Sequence, residues 1–168
     1  MYDKPFVFPG FHLADRRGIF SKPYSYEFSE VPFVIRELFW SRSARGTVRG
    51  MHYQGPPCPA AKLVWVSNGA IFDTLIDLRR GPTYGAISIF ELSAENGGAL
   101  FIPVGFGHGF QAMTDDAVVN YAQNLEFDKA SDAGVNWRSL DFTWPLPVTE
   151  TSARDDGLPL WEDFESPF

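Results

Sequence analysis

A chain of 168 residues, 45% apolar and 16% aromatic, is rich enough in core-forming side chains to fold, and a single domain over residues 1–168 is expected. Its formal charge of −7 argues against nucleic acid or an anionic membrane as partner, because both demand a basic face. The lone Cys58 excludes an intramolecular disulfide, no apolar run approaches the ~20 residues that span a bilayer, and MYDKPFVFPG lacks a signal-peptide pattern, so a cytoplasmic protein is expected.

Taken in chain order, ADRRGIFSKPYSYEF (residues 14–28) reads as a strand or extended arm with a glycine turn, of a kind that can pair with a second subunit and cover an edge. Short apolar runs then alternate with Gly, Pro, Asn and Asp, the pattern of many short strands. Strands are predicted at Phe33–Ser41, Val48–Tyr53, Lys62–Ser67, Ala70–Leu78, Ala86–Leu92, Ala99–Ile102, Gly109–Met113 and Val118–Asn124. Turn chemistry separates them at SNG, RRGPTYG and TDD. Such regular spacing predicts an all-β barrel or sandwich. Helical pattern is confined to the C-terminal part, where SARD (Ser152 to Asp155) has the spacing of a capping box.

The chemistry-bearing residues are few. Of three histidines, His12 lies in GFHLAD and reads as structural or solvent-exposed, while His52 and His108 lie in glycine-punctuated strands. Gly46 and His52 are spaced G-x5-H, and Gly97, Pro103, Gly105 and His108 give G-x5-P-x-G-x-x-H. Together these resemble the two motifs of the cupin superfamily, small β-barrels whose site lies inside the barrel. Metal-binding cupins add a second histidine and a glutamate to the first motif. Gln54 and the acid-free GPPCPAA stand there instead, so no metal is expected. An inward histidine without a metal is either a hydrogen-bonded core residue or a proton acceptor, for which an imidazole's pKa of about 6.5 suits it near neutral pH.

The order DRRGIF, RGMHYQGPP, KLVWVSNGAIFDTLIDLRRGPTYG, LSAEN, IPVGFGHGF, VVNYAQN, DFTWP and SARD, over about Asp15 to Asp155, resembles the dTDP-4-dehydrorhamnose 3,5-epimerase family. The resemblance implies a cupin-like β-barrel or jelly roll, a homodimer, no cofactor, and epimerisation of carbons flanking the ketone of a nucleotide-linked 4-keto-6-deoxysugar. It implies His52 as general base, Asp155 as the carboxylate that orients it, Tyr121 as the acid on the opposite face, and Lys62 near the ketone. Arg49 and Arg17 are implied at the diphosphate, with Gln54 and His108 in the site. Lys22, Glu37 and Phe39 stand where the family usually carries an acid, a glutamine and an asparagine, which implies altered recognition of the nucleotide base.

These roles fit the chemistry: the ketone acidifies its neighbours, and inversion needs a base on one face and an acid on the other. A 3,4-ketoisomerase and a non-catalytic sugar-nucleotide-binding cupin are the alternative readings. One geometric difficulty stands out, because Arg49 lies three residues before His52 and falls on the opposite side of an ideal strand. For both to reach one ligand, Arg49 needs a bulge, a strand end or a partner's site.

Overall fold

The computed structural model describes residues 3–25 and 33–168. Strands dominate, in the order β1 (Phe6–Phe8), β2 (Phe11–Asp15), β3 (Gly18–Lys22), β4 (Glu37–Ser43), β5 (Val48–Gln54), β6 (Lys62–Asn68), β7 (Ala70–Asp77), β8 (Ile87–Ser93), β9 (Ala99–Ile102), β10 (Phe106–Ala112), β11 (Ala117–Gln123) and β12 (Asp132–Gly134). One five-stranded sheet runs β1-β9-β6-β11-β4, and a second runs β12-β5-β10-β7-β8. All their strand pairs are antiparallel.

The inner rows of the two sheets build the main core. Val64, Leu75, Leu100, Phe106, Phe110 and Val119 meet there with almost no exposure. A second cluster, with Met51, Tyr53, Ile76 and Leu78 against Val135, Leu140 and Phe164, shows the C-terminal segment packed on the back of the second sheet. Strict alternation explains the split. On β6, Val64 faces the main core while Leu63 joins a third cluster with Phe33 and Phe101. The result is the flattened barrel of a cupin-like jelly roll, as the family resemblance implies, where the strand spacing alone predicts a barrel or sandwich.

Two strand boundaries depart from the sequence expectation. Phe33 to Arg36 precede β4 rather than belonging to it. β10 starts at Phe106, not Gly109, because the glycine-rich FGHG pairs continuously with β7, from Phe106 opposite Asp77 to Ala112 opposite Ile71. The arm is a hairpin of β2 and β3, with Gly18 at φ 123° beyond the turn. Its predicted end at residues 26–28 lies outside the described residues. Among the described residues, no helix is long and apolar enough to cross a membrane.

Candidate active site

A cavity of about 630 Å³ opens between the two sheets, within the size range of small-molecule sites. His52 of β5 lines one wall and Tyr121 of β11 the other, so they belong to facing sheets. Lys62, His108, Arg49 and Asp155 line the same space.

β5 resolves the problem of Arg49. Against β10, His52 pairs with His108 but Arg49 pairs with Phe110, so three steps on β5 answer two on β10. This bulge changes the strand's parity and returns Arg49 to the side of His52. Gly50 is required at the bulge. Its φ is 133°, and a Cβ there would sit 2.4 Å from the Cα of Gly109. The guanidinium of Arg49 donates from Nε to Ser43 Oγ (3.0 Å) and from Nη2 to the Arg42 carbonyl (3.3 Å). Neither partner is an acid, so its charge is available to an anionic ligand.

The short helix α1 (Ala153–Asp156) delivers Asp155. Ser152 caps it as the Ser-x-x-acid spacing predicts, accepting from the Asp155 N–H at 3.0 Å. Asp155 then receives two further hydrogen bonds, from the bulge N–H of Gly50 at 3.1 Å and from His52 Nε2 at 2.7 Å. Burial works against its ionised form, but the bonds and charge of His52, with Gly50 and Ser152, hold the carboxyl below its usual range. An ionised carboxylate only accepts, so in the neutral ring the proton belongs on Nε2, beside Asp155, and the lone pair on Nδ1.

On the facing wall, burial pushes the Tyr121 phenol well above its ordinary value, with the Ser41 hydrogen bond opposing. Tyr121 is therefore a proton donor at neutral pH. Ser41 Oγ lies 3.2 Å from its hydroxyl, and the Phe39 ring stacks on it at 4.6 Å and 11°. His108 and Asp73 share a buried hydrogen bond of 2.7 Å. Burial holds the Asp73 carboxyl above its ordinary value, with the charge and hydrogen bond of His108 opposing.

Lys62 projects into the cavity from β6, and burial lowers its ammonium to about 8, with Asp132 opposing and Arg154 assisting. Asp132 and Arg154 pair at 2.7 Å beside it. The ammonium is present below that value and lost above it. If turnover needs that charge, kcat/KM falls as pH rises through about 8. Lys62→Arg is expected to remove this alkaline limb from the pH–rate profile, and an unchanged limb assigns it to another group. Because Lys62 sheds its proton earlier when folded, its contribution to stability grows with pH between about 8 and the ordinary lysine value of 10.5.

Other expected residues stand elsewhere. The Gln54 amide does not reach the cavity, since it donates to the carbonyls of Cys58 and Glu126 and accepts from the Asp128 N–H. Glu37 accepts from the Phe127 N–H at 2.8 Å and thereby fixes that ring at the cavity edge. Both serve as loop anchors. Arg17 sits at the hairpin tip, paired with Asp15 and with its side chain 83% exposed, and Lys22 lines a separate groove beside Phe8 and Tyr24. Within one chain neither lines the cavity. Sequence reasoning passed over Asp73, Ser41 and the Asp132–Arg154 pair. For Asp73 a signal exists, because alternation puts it in the buried row of Ile71 and Leu75, where a charge needs a partner.

Among the described residues, no three His, Cys, Asp or Glu side chains converge as a metal site. A cupin-like barrel with a carboxylate-oriented histidine facing a buried phenol, and an ammonium lining the same cavity, has the layout of an isomerase that moves protons next to a carbonyl. The family model described as dTDP-4-dehydrorhamnose 3,5-epimerase matches residues 6–163, and the chain belongs to that family. A dTDP-4-dehydrorhamnose 3,5-epimerase of Sinorhizobium fredii is 40% identical over 114 residues, 66% of this chain and 58% of that protein, so the match spans less than two thirds of that relative. A dTDP-4-dehydrorhamnose 3-epimerase of Streptomyces niveus is 37% identical over 89% of this chain and 76% of its own. The crystal structure of a dTDP-6-deoxy-D-glucose-3,5-epimerase of Legionella pneumophila, in complex with dTDP-4-keto-L-rhamnose, superposes with a TM-score of 0.88 at 28% identity, covering 96% of this chain and 89% of that one.

Proposed function

We propose that the chain acts as one epimerase domain that inverts C3, C5 or both of a nucleoside-diphosphate-linked 4-keto-6-deoxysugar. The observation that carries this reading is the pairing of an oriented base with a buried phenol on facing walls of one cavity. His52 Nδ1 takes the proton from the carbon beside the ketone. The C–H electrons form a carbon–carbon double bond, and the carbonyl oxygen becomes an enolate stabilised by the Lys62 ammonium. Tyr121 then gives its proton to the opposite face as the ketone re-forms, and solvent restores both groups. Arg49 holds the diphosphate.

The partners follow from the same reading. Of the three departures, Lys22 and Glu37 fall outside the cavity of the single chain while Phe39 lines it against Tyr121; the relatives' names point to thymidine, so dTDP is the first nucleotide to test, against CDP, GDP and UDP. A homodimer is supported by the exposed apolar side chains Leu13, Ile19 and Phe20 on the hairpin and Leu38 and Trp40 on β4, which a second copy would cover and which would bring Arg17 toward its neighbour's site. A nucleotide-linked substrate and the free Cys58 favour the cytoplasm.

The deciding experiment is incubation with a dTDP-linked 4-keto-6-deoxyglucose in deuterium oxide, followed by NMR. Deuterium at C3, C5 or both, with inversion, is the expected result and gives the regiochemistry. Migration of the ketone to C3 identifies a ketoisomerase, and binding without exchange identifies a non-catalytic sugar-nucleotide module.

A further inference from the structure

β4 stands at the edge of its sheet beside β11 and meets the Tyr121 side chain at two points. Phe39 lies directly opposite Tyr121, and opposed residues on neighbouring strands share a face, with Cβ atoms roughly 5 Å apart. Their rings stack at 4.6 Å and 11°. Two residues further along the same face of β4, Ser41 Oγ lies 3.2 Å from the phenol oxygen. The His108 ring bounds another side of Tyr121, its centroid 6.3 Å away and its plane inclined by 66°.

Phe39 belongs to none of the three buried clusters. It is 40% exposed where Tyr121 is 8% exposed, and both line the cavity, so Phe39 forms the outer layer of the pair. The ring's packing partner is thus the phenol, not the core. The bond to Ser41 holds the hydroxyl at one point and leaves the ring free to swing about it. A second ring laid flat on the phenol opposes that swing, and a stacked aromatic pair favours one posture by about two- to ten-fold. Posture matters here because inversion needs the proton delivered to the face opposite His52, and a misplacement of about 1 Å can cost on the order of 10²-fold in rate.

We propose that Phe39 is a positioning residue that holds the Tyr121 phenol in line with the substrate and so sets how often a deprotonated sugar is inverted. This rests on the epimerase reading above. Once His52 has taken the proton, the enolate has two fates. A proton returns from His52 to the original face, or the Tyr121 O–H gives its proton to the other face as the ketone re-forms and leaves a phenolate. Phe39 acts on the second rate alone. The resemblance implies base recognition at position 39, whereas the stack gives its ring a task at the reacting end of the cavity.

The test follows Phe39→Leu acting on dTDP-linked 4-keto-6-deoxyglucose in deuterium oxide, with NMR counting both the deuterium gained beside the ketone and the carbon inverted. The fraction inverted per exchange event is expected to fall about 10-fold. Total exchange and the affinity for dTDP are expected to stay within about three-fold of wild type, because neither passes through the phenol. Tyr121→Phe and the double variant carrying Phe39→Leu as well are expected to invert equally slowly, since a residue that acts through the phenol has nothing to position once the hydroxyl is gone. Phe39→Ile, β-branched and suited to a strand, serves as a second variant under the same criteria.

An unchanged inverted fraction, exchange and inversion falling in parallel, weaker binding of dTDP beyond that margin, or a further loss of inversion in the double variant would each overturn the assignment. Wild-type protein that exchanges no deuterium into the sugar removes the epimerase reading and this inference with it. Active wild type with an unchanged partition in Phe39→Leu removes the inference alone.

Discussion

His52→Asn is expected to abolish proton exchange at both carbons beside the ketone, with kcat reduced on the order of 10³- to 10⁴-fold. The variant keeps a polar side chain beside Asp155 but has no basic nitrogen. Asp155 also retains its hydrogen bonds to the Gly50 N–H and the Ser152 cap, so the fold around α1 stays in place. Affinity for dTDP is expected to change little, because Arg49 remains anchored to Ser43 and to the Arg42 carbonyl. Deuterium exchange followed by NMR, with calorimetric titration of dTDP, separates the two effects. Near-native exchange in this variant would show that another group takes the proton. His108, already bound to Asp73, would be next in line.

Tyr121→Phe is expected to behave differently, and the difference is diagnostic. The base is intact, so a proton can still leave and a deuteron return from the same face. Exchange with retention should therefore survive while net inversion falls by about 10²- to 10⁴-fold. Ser41 loses its partner, a loss of roughly 1 kcal/mol in stability, and Phe39 keeps a ring to stack upon. Exchange and inversion falling together would mean that Tyr121 also aligns the substrate for the base. Full inversion would hand the acid role to another group.

Much of the architecture was legible because the buried rows of the strands are apolar with a period of two. Lys62, Tyr121 and His108 could be placed inward for the same reason, since each continues a row begun by Val64, Val119 and Phe110. The Asp155 cap was legible from four consecutive residues. What escaped depended on register between distant strands. Asp73 meets His108 only because β7 and β10 align over their whole length, and Ser41 meets Tyr121 through the alignment of β4 with β11. Gln54 failed for a related reason: parity sets it on the His52 side of β5, but the 126–128 loop folds close enough to occupy its amide. Arg17 and Lys22 are legible as family positions, and they stand away from the cavity on a hairpin whose apolar side chains Leu13, Ile19 and Phe20 are exposed among the described residues.

The extra residue in β5 has a mechanical consequence. Arg49, the Gly50 N–H that bonds Asp155, and His52 lie within four consecutive residues of one strand. A load on the Arg49 guanidinium is thus carried by the same short backbone that sets the base and its orienting carboxylate. If Arg49 holds the diphosphate, as proposed, that group, remote from the reacting carbon, would serve as a handle whose grip aligns the proton acceptor. A free sugar with the right ketone would lack that handle, and its deficit would appear in turnover as well as in binding.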